Sequence, residues 1–465
     1  MPLGTADNPV RVAIIGAGPA GFYAAGHLLK GSSSVEVDLF DKLPTPYGLV
    51  RSGVAPDHQK IKNVTRVYDR IAKSEVFRFF GNVEYGTHVG LEDLCRHYHQ
   101  VCFSTGAQVD RRLGIPGEEL QRSYSATDFV AWYNGHPEYR HLKFDLSHEC
   151  VAVVGVGNVA VDVSRILCRT IEELESTDIA DYALDALREC RVREIYMLGR
   201  RGPAQAAFTN PEAKELGEMI GADAFVPPAE ARLDTLTKAV LERGTDRATT
   251  RKVAMIEQFS RNQRTDRPRL LTIRFLVSPL EFHDDGTGHV GGVRLVKNEL
   301  YEAADGRLRP RHTDRHEELP AEVVFRSVGY RGVPLADVPF NDAWGVVPSE
   351  NGRVTDPATN KPIPGLYVAG WIKRGPTGVI GTNKADALDT VKSMRADWAV
   401  GSCFEPEKPS AAAVSDLMCQ RQPKAITWAD WQRIDHIETK RGKAVGKPRI
   451  KFTQTDEILR ALGRG

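Results

Sequence analysis

Arg11-Val-Ala-Ile-Ile-Gly16-Ala-Gly18-Pro19-Ala20-Gly21-Phe22 is the stretch on which the reading of this chain turns. A short β-branched run, Val12 to Ile15, meets G-x-G-x-x-G at the start of an Ala-rich helix. Gly16 permits the tight turn, Gly18 admits a pyrophosphate to the backbone, and Gly21 lets the helix pack close to the sheet. The helix N-terminus adds amide donors and a positive dipole. A second strand, Val35 to Phe40, ends at Asp41, 20 residues past Gly21, where a carboxylate accepts hydrogen bonds from a ribose. Strand, glycines, helix, strand and acid in this order predict a dinucleotide-binding α/β unit.

The pattern returns at Cys150-Val-Ala-Val-Val-Gly155-Val-Gly157-Asn158-Val159-Ala160-Val-Asp162, with Ala160 in place of the third glycine. A methyl group there sets the helix slightly away from the sheet, which points to NADP rather than NAD. The next relevant strand, Glu194 to Gly199, runs into Arg200-Arg201, where an NAD-specific unit would carry an acid. Two guanidiniums match a 2′-phosphate, through bidentate charge-assisted hydrogen bonds and stacking on adenine. A helical insertion, about Glu172 to Leu187, separates this helix from its strand, so the spacing rule for the acid does not apply literally.

FAD and NAD share the first turn, and the segment that discriminates them lies far downstream. Pro364-Gly-Leu-Tyr-Val-Ala-Gly370-Trp371 reads as a strand arriving at a glycine, and Gly375-Pro-Thr-Gly378-Val-Ile-Gly381 opens a helix from Asn383 to Ser393. A helix N-terminus placed there stabilises negative charge on the N1/O2 edge of a reduced flavin. The first turn is therefore assigned FAD, in a domain built from both ends of the chain. Strand ends at Val101–Ala107 and Glu322–Tyr330 are natural crossing points between domains. The expected fold class is α/β with two Rossmann-like dinucleotide-binding domains. An NADP-binding domain (108–326) is inserted into a discontinuous FAD-binding domain (1–107 and 327–465), with a C-terminal tail from about 402.

Composition bounds the partners. The 465 residues carry 62 Lys plus Arg against 61 Asp plus Glu, a net charge of +1, which gives no global electrostatic case for nucleic acid or an anionic membrane. Seven cysteines (Cys95, Cys102, Cys150, Cys168, Cys190, Cys403, Cys419) form no C-x-x-C and no metal-ligand spacing, so no disulfide framework, zinc site or iron–sulfur site is expected. The opening residues show neither a signal peptide nor a myristoylation site, and no apolar run reaches the ~20 residues of a membrane span. A reducing, cytoplasmic location and a monomer are expected.

Taken together, these residues resemble the adrenodoxin reductase-like ferredoxin–NADP reductases. The likeness runs from Val12 to about Asp389. Its most specific parts are Pro44 to His58, Phe80-Gly-Asn-Val-Glu84, Phe129 to Asn134, Gly199-Arg-Arg-Gly-Pro203 with Ala207-Phe-Thr209, Ser327-Val-Gly-Tyr330, and Trp371 to Ile380. Within the family the similarity is to the bacterial branch, because an extra tail follows Ser402 and no transit peptide precedes the first strand. The resemblance implies that Ala20, Asp41, Leu49, Tyr85, Trp371 and the Gly378-Val379-Ile380 backbone hold FAD, Asp41 standing where the family more often has Glu. It implies that Gly157, Asn158, Val159, Arg200, Arg201, Glu212 and Gly378 hold NADP.

The reaction so implied is hydride transfer between nicotinamide C4 and flavin N5, with single electrons released to a ferredoxin. His58 and Asp162 are candidates for proton management near the flavin, His58 being equally readable as a hydrogen-bonded structural histidine; Trp371 shields the flavin or positions nicotinamide. Disulfide-reductase chemistry is excluded, because no cysteine lies between Asp41 and Cys95 or between Cys190 and Cys403. The alternative is an NADPH-dependent flavin monooxygenase. Phe80-Gly81 followed by His88 is a faint fingerprint for it, with the wrong spacing and no Trp.

An acidic iron–sulfur partner requires a local basic patch. Between Val240 and Leu270, Arg243, Arg247, Arg251, Lys252, Arg261, Arg264, Arg267 and Arg269 face Glu242, Asp246, Glu257 and Asp266, a net of +4. From Arg421 to Lys451, nine basic residues face three acids, a net of +6.

Overall fold

A computed structural model describes residues 2–31, 33–244 and 247–464; Asp246 of the first basic stretch lies outside them. The chain divides into two units. One holds Met1–Val54, His58–Val109 and Gly329–Gly465, the other Ala55–Asp57 and Asp110–Val328.

The first unit is organised on the Val10–Ile15 strand, all six residues of which are buried, as a strand covered on both faces requires. Its seven-stranded sheet runs, in spatial order, Ser349–Glu350, Arg353–Thr355, Pro362–Val368, Gln100–Phe103, Val10–Ile15, Val35–Phe40 and Phe77–Phe80. The last five are mutually parallel. The helix after the first turn begins with Pro19, whose fixed φ and missing N–H suit a first helical position. Arg11, buried in the central strand, is neutralised by Glu36 and by Asp38, which also accepts from Arg78 and from the Tyr98 hydroxyl. A buried cation needs such partners.

The second unit has a six-stranded, wholly parallel sheet in the order Ser123–Ser125, Val323–Arg326, Cys150–Val154, Glu194–Gly199, Arg269–Phe275 and Ala222–Phe225. A three-stranded antiparallel sheet of Val277–Asp284, Val290–Glu302 and Leu308–Leu319 accompanies it. The expected helical insertion is two helices, Ile171–Glu175 and Asp181–Arg188, the former started by a Thr170/Glu173 capping box.

The segment after Ser402 is no loose tail. Trp431, Ile434, Phe452, Ile458 and Leu459 are buried in the same core as Val12, Phe22 and Tyr47. Much of its basic stretch is structural: Arg449 pairs with Asp435 and Glu438, Arg464 beyond it with Asp430, and Lys451 is buried. Among the described residues, no helix is long and apolar enough to cross a membrane.

Candidate cofactor sites

In the first unit three chain segments converge on one turn. Gly16 has φ +108°, and a Cβ there would sit 2.6 Å from the Ser104 carbonyl oxygen; a Cβ on Gly21 would sit 2.1 Å from the Gly16 oxygen. Those two glycines are demanded by packing. Gly18 is different: a Cβ built on it meets no described heavy atom within 4 Å, so it borders open space. The second segment, Tyr47-Gly48, folds over the turn, its Tyr47 amide donating to the Ala17 oxygen at 2.8 Å. The third arrives at Gly370, where a Cβ would lie 2.6 Å from Ala20 Cβ.

Asp41 ends its strand as expected, and its carboxylate is tied to the local backbone. Oδ2 accepts from the Ala17 amide at 2.7 Å and Oδ1 from the Leu43 amide at 2.9 Å, so the acid braces the turn. Two large apolar side chains of this unit are left uncovered, Leu49 at 37% and Val379 at 51% exposed. Tyr85 donates to the Ala336 oxygen at 2.7 Å and sets its ring edge-on to Phe103. Trp371 donates from Nε1 to the Thr377 oxygen at 3.2 Å and lies against Tyr330, ring centroids 5.6 Å apart. The Gly370–Ile380 stretch is fixed from the Thr382–Ala399 helix, because Asp386 accepts from the Gly370 amide and pairs with Lys373. That helix outruns the Asn383–Ser393 span expected for it. Open room at a glycine backbone, a helix N-terminus and uncovered apolar side chains together fit a flavin dinucleotide.

The second unit repeats the device. Gly155 has φ +135° and a Cβ there would lie 2.2 Å from the Ser327 oxygen, whereas Gly157 again faces open space. Ala160 is fully buried with its methyl accommodated. Asn158 Oδ1 accepts from the Thr209 amide at 3.0 Å, which ties the helix start to the Ala206–Thr209 loop. Lys252, counted above as a surface cation, instead donates from Nζ to the Ala206 and Phe208 carbonyls and supports that loop. Val159 is half-buried in the first turn of the same helix, and Glu212 in that of the Asn210–Gly217 helix.

Among the described residues, no carboxylate pairs with Arg200 or Arg201. Their backbone is held by the Asn298 amide, which donates to the Arg200 oxygen at 2.8 Å, and by the Leu276 N–H, which donates to the Arg201 oxygen at 3.1 Å. Burial, and then the adjacent Arg200 charge, hold the Arg201 guanidinium below its ordinary value, so an anion there relieves repulsion. Buried Asn298 carried no motif signal in the sequence.

Asp162 lies in a buried ion cluster. Arg165, with no exposed side-chain surface, donates to Asp162 at 2.8 Å and to Asp57, and approaches Glu215 at 3.4 Å. His58 is buried at the start of the short Gln59–Lys62 helix. All seven cysteines are free thiols, and burial pushes those of Cys102, Cys150 and Cys168 up to about 12, which makes them poor nucleophiles. Of the first basic stretch, Arg269 is spent on the Val192 and Arg169 carbonyls and Arg267 pairs with Asp223. Arg243, Arg247, Arg251, Arg261 and Arg264 remain exposed.

Known proteins share this architecture. Residues 10–197 match the pyridine nucleotide-disulphide oxidoreductase family. NADPH-ferredoxin reductase FprA of Mycobacterium tuberculosis is 43% identical, over 98% of this chain and 100% of its own length. The chain belongs to the adrenodoxin reductase-like ferredoxin–NADP reductase family. A mitochondrial NADPH:adrenodoxin oxidoreductase of Arabidopsis thaliana is 40% identical over 98% of this chain and 96% of its own. The structure of FprA in complex with NADPH superposes with a TM-score of 0.91 at 42% identity, covering 98% of this chain and 100% of that one. Family likeness therefore extends well beyond Asp389. The segment after Ser402 is shared by bacterial and mitochondrial members and does not separate the branches.

Proposed function

We propose that this chain is an FAD-dependent ferredoxin–NADP(+) reductase, an oxidoreductase moving electrons between NADPH and an iron–sulfur protein of ferredoxin or adrenodoxin type. The observation that carries this is the pair of open glycine turns, at Gly18 and Gly157, whose following strands end in charges of opposite sign. Bound FAD supplies the redox chemistry, accepting a hydride from NADPH and giving up electrons singly.

The chain's own residues bind and orient. Residues 1–107 and 327–465 form the FAD-binding domain, in which Gly16, Gly18 and Gly21 cradle the pyrophosphate at a helix N-terminus and Asp41 faces the ribose. Ala20, Leu49, Tyr85, Trp371 and the Gly378-Val379-Ile380 backbone complete that site. Trp371, braced by Tyr330 and the Thr377 carbonyl, shields the flavin face. Residues 108–326 form the NADP-binding domain, with Gly155, Gly157, Asn158, Val159, Glu212 and Gly378 of the other segment assigned to the nucleotide. Arg200 and Arg201 take the 2′-phosphate. His58 and Asp162 are assigned to proton handling, and Asp162 pairs with Arg165 at 2.8 Å. The partner is an acidic iron–sulfur protein that docks on the exposed arginines of residues 243–264. The protein works as a cytoplasmic monomer.

Anaerobic stopped-flow mixing with NADPH, followed by cytochrome c reduction with and without added ferredoxin, tests this reading. Flavin bleaching by NADPH and ferredoxin-dependent acceleration are expected. NADPH oxidation that consumes O2 with an organic substrate and ignores ferredoxin overturns it.

A further inference from the structure

The Tyr47–Ser52 segment is the least comfortable part of the first site. Tyr47 has φ +85°, a left-handed conformation that a side chain resists, followed by Gly48 at φ +48°, and a Cβ on Gly48 would lie 3.1 Å from Gly18 Cα. A strained turn pressed against the open glycine persists when its surroundings over-determine it. Those surroundings come from the other end of the chain. Trp431 Nε1 donates to the Tyr47 hydroxyl at 3.1 Å, and the Tyr47 hydroxyl donates to Asp69. Arg51 forms a two-pronged pair with Glu438, at 2.8 and 2.5 Å, with its guanidinium 5.3 Å from the Trp431 ring centroid.

Glu438 has no exposed side-chain surface, and its carboxylate is fully engaged. Besides Arg51, it accepts from Arg449 at 3.1 Å and from the Phe452 amide at 2.8 Å. Burial alone would push this carboxyl up, but the Arg51 and Arg449 guanidiniums overcome it and hold it below the ordinary range. A buried ion set of this kind contributes little net stability compared with an apolar replacement, yet it imposes one geometry on the groups it joins.

Resting on the reading of this unit as an FAD site, we propose that Glu438 is a positioning residue for FAD: through Arg51 it clamps the Tyr47–Ser52 turn against Gly18, so the C-terminal segment sets how tightly the flavin is retained. Glu438 does not touch the cofactor. It acts by fixing the wall that the cofactor meets.

The experiment measures FAD release from holoenzyme after dilution, by recovery of free-flavin fluorescence, with the visible circular dichroism of the bound flavin recorded beforehand. Glu438→Gln keeps the shape and removes the charge, and is expected to speed release about tenfold and alter the flavin dichroism. Glu438→Asp restores the charge at shorter reach and is expected to recover part of the retention. Trp431→Phe, which removes the indole donor and keeps a smaller aromatic ring, is expected to speed release about threefold and gives a milder variant should Glu438→Gln fail to fold. Binding of 2′,5′-ADP is expected to be unchanged in all three. A wild-type release rate in folded, flavin-loaded Glu438→Gln or Trp431→Phe overturns this proposal alone. Wild-type protein that carries no FAD overturns the reductase reading, and this proposal with it.

Discussion

The two glycine turns are the same backbone device used at opposite charge. In each, a first glycine of positive φ passes under a serine carbonyl from a neighbouring strand end, Ser104 for Gly16 and Ser327 for Gly155. In each, the middle glycine faces open space, so the packing of the described residues does not demand its missing side chain. They part at two places. Gly21 has no room for a methyl group, whereas Ala160 carries one in a fully buried position. The next strand ends in an acid, Asp41, in the first unit and in a pair of arginines, Arg200 and Arg201, in the second. What the difference teaches is that one glycine-turn backbone recurs in both units, and that the units part in the charge delivered at the strand end.

The largest effect is expected at the third position of the first turn, with the second turn as its contrast. Gly21→Ala drives a methyl group into the Gly16 carbonyl and the Ser104 hydroxyl, and should cost about 3 kcal/mol of stability together with the flavin. Ala160→Gly should cost only about 1 kcal/mol, the helical penalty of glycine. Denaturant unfolding with flavin content checks both, and equal costs would erase the distinction. Next in size is the strand end: replacing Arg200 and Arg201 together by alanine should raise KM for NADPH about 100-fold and leave KM for NADH alone, in ferricyanide assays. A matching loss with NADH would mean that the pair serves the fold and not the phosphate.

The middle glycines come third. Gly157 has φ −100°, which any residue adopts, so Gly157→Ala should keep stability within about 0.5 kcal/mol while raising KM for NADPH about tenfold. A stability loss above that would show that the open space is needed by the protein itself. Smallest is the surface term. Reversing charge at Arg247, Arg251 and Arg264 should slow ferredoxin reduction several-fold at low salt and spare ferricyanide turnover, the difference fading once the Debye length drops below about 10 Å.

How far the sequence was legible follows from the range of the interactions. Strand–glycine–helix signals are local, set by residues within one turn of each other, and both units could be read from them. Asp41 and Arg200-Arg201 were legible because a strand of known length delivers them beside the turn. Lys252 and Arg269 looked like free cations because nothing in the local sequence says that carbonyls from residues 169 to 208 lie within reach. How the tail after Ser402 packs was not legible for a similar reason: Arg51 and Glu438 are 387 residues apart, and no periodicity links them.

By itself, then, the amino-acid sequence determined the two glycine turns, the charge at the strand end beside each, and the lack of a cysteine pair to relay electrons. Each of these depends on residue type at short spacing, where φ preference, missing Cβ atoms and formal charge act without help. Only the tertiary structure decided which arginines stay exposed, that Asn298 holds the backbone of the arginine pair, and that Trp431 and Glu438 hold the Tyr47–Ser52 segment beside the first glycine turn. Those outcomes depend on which distant groups burial brings together, because a buried charge or amide must find its partner wherever the fold supplies one.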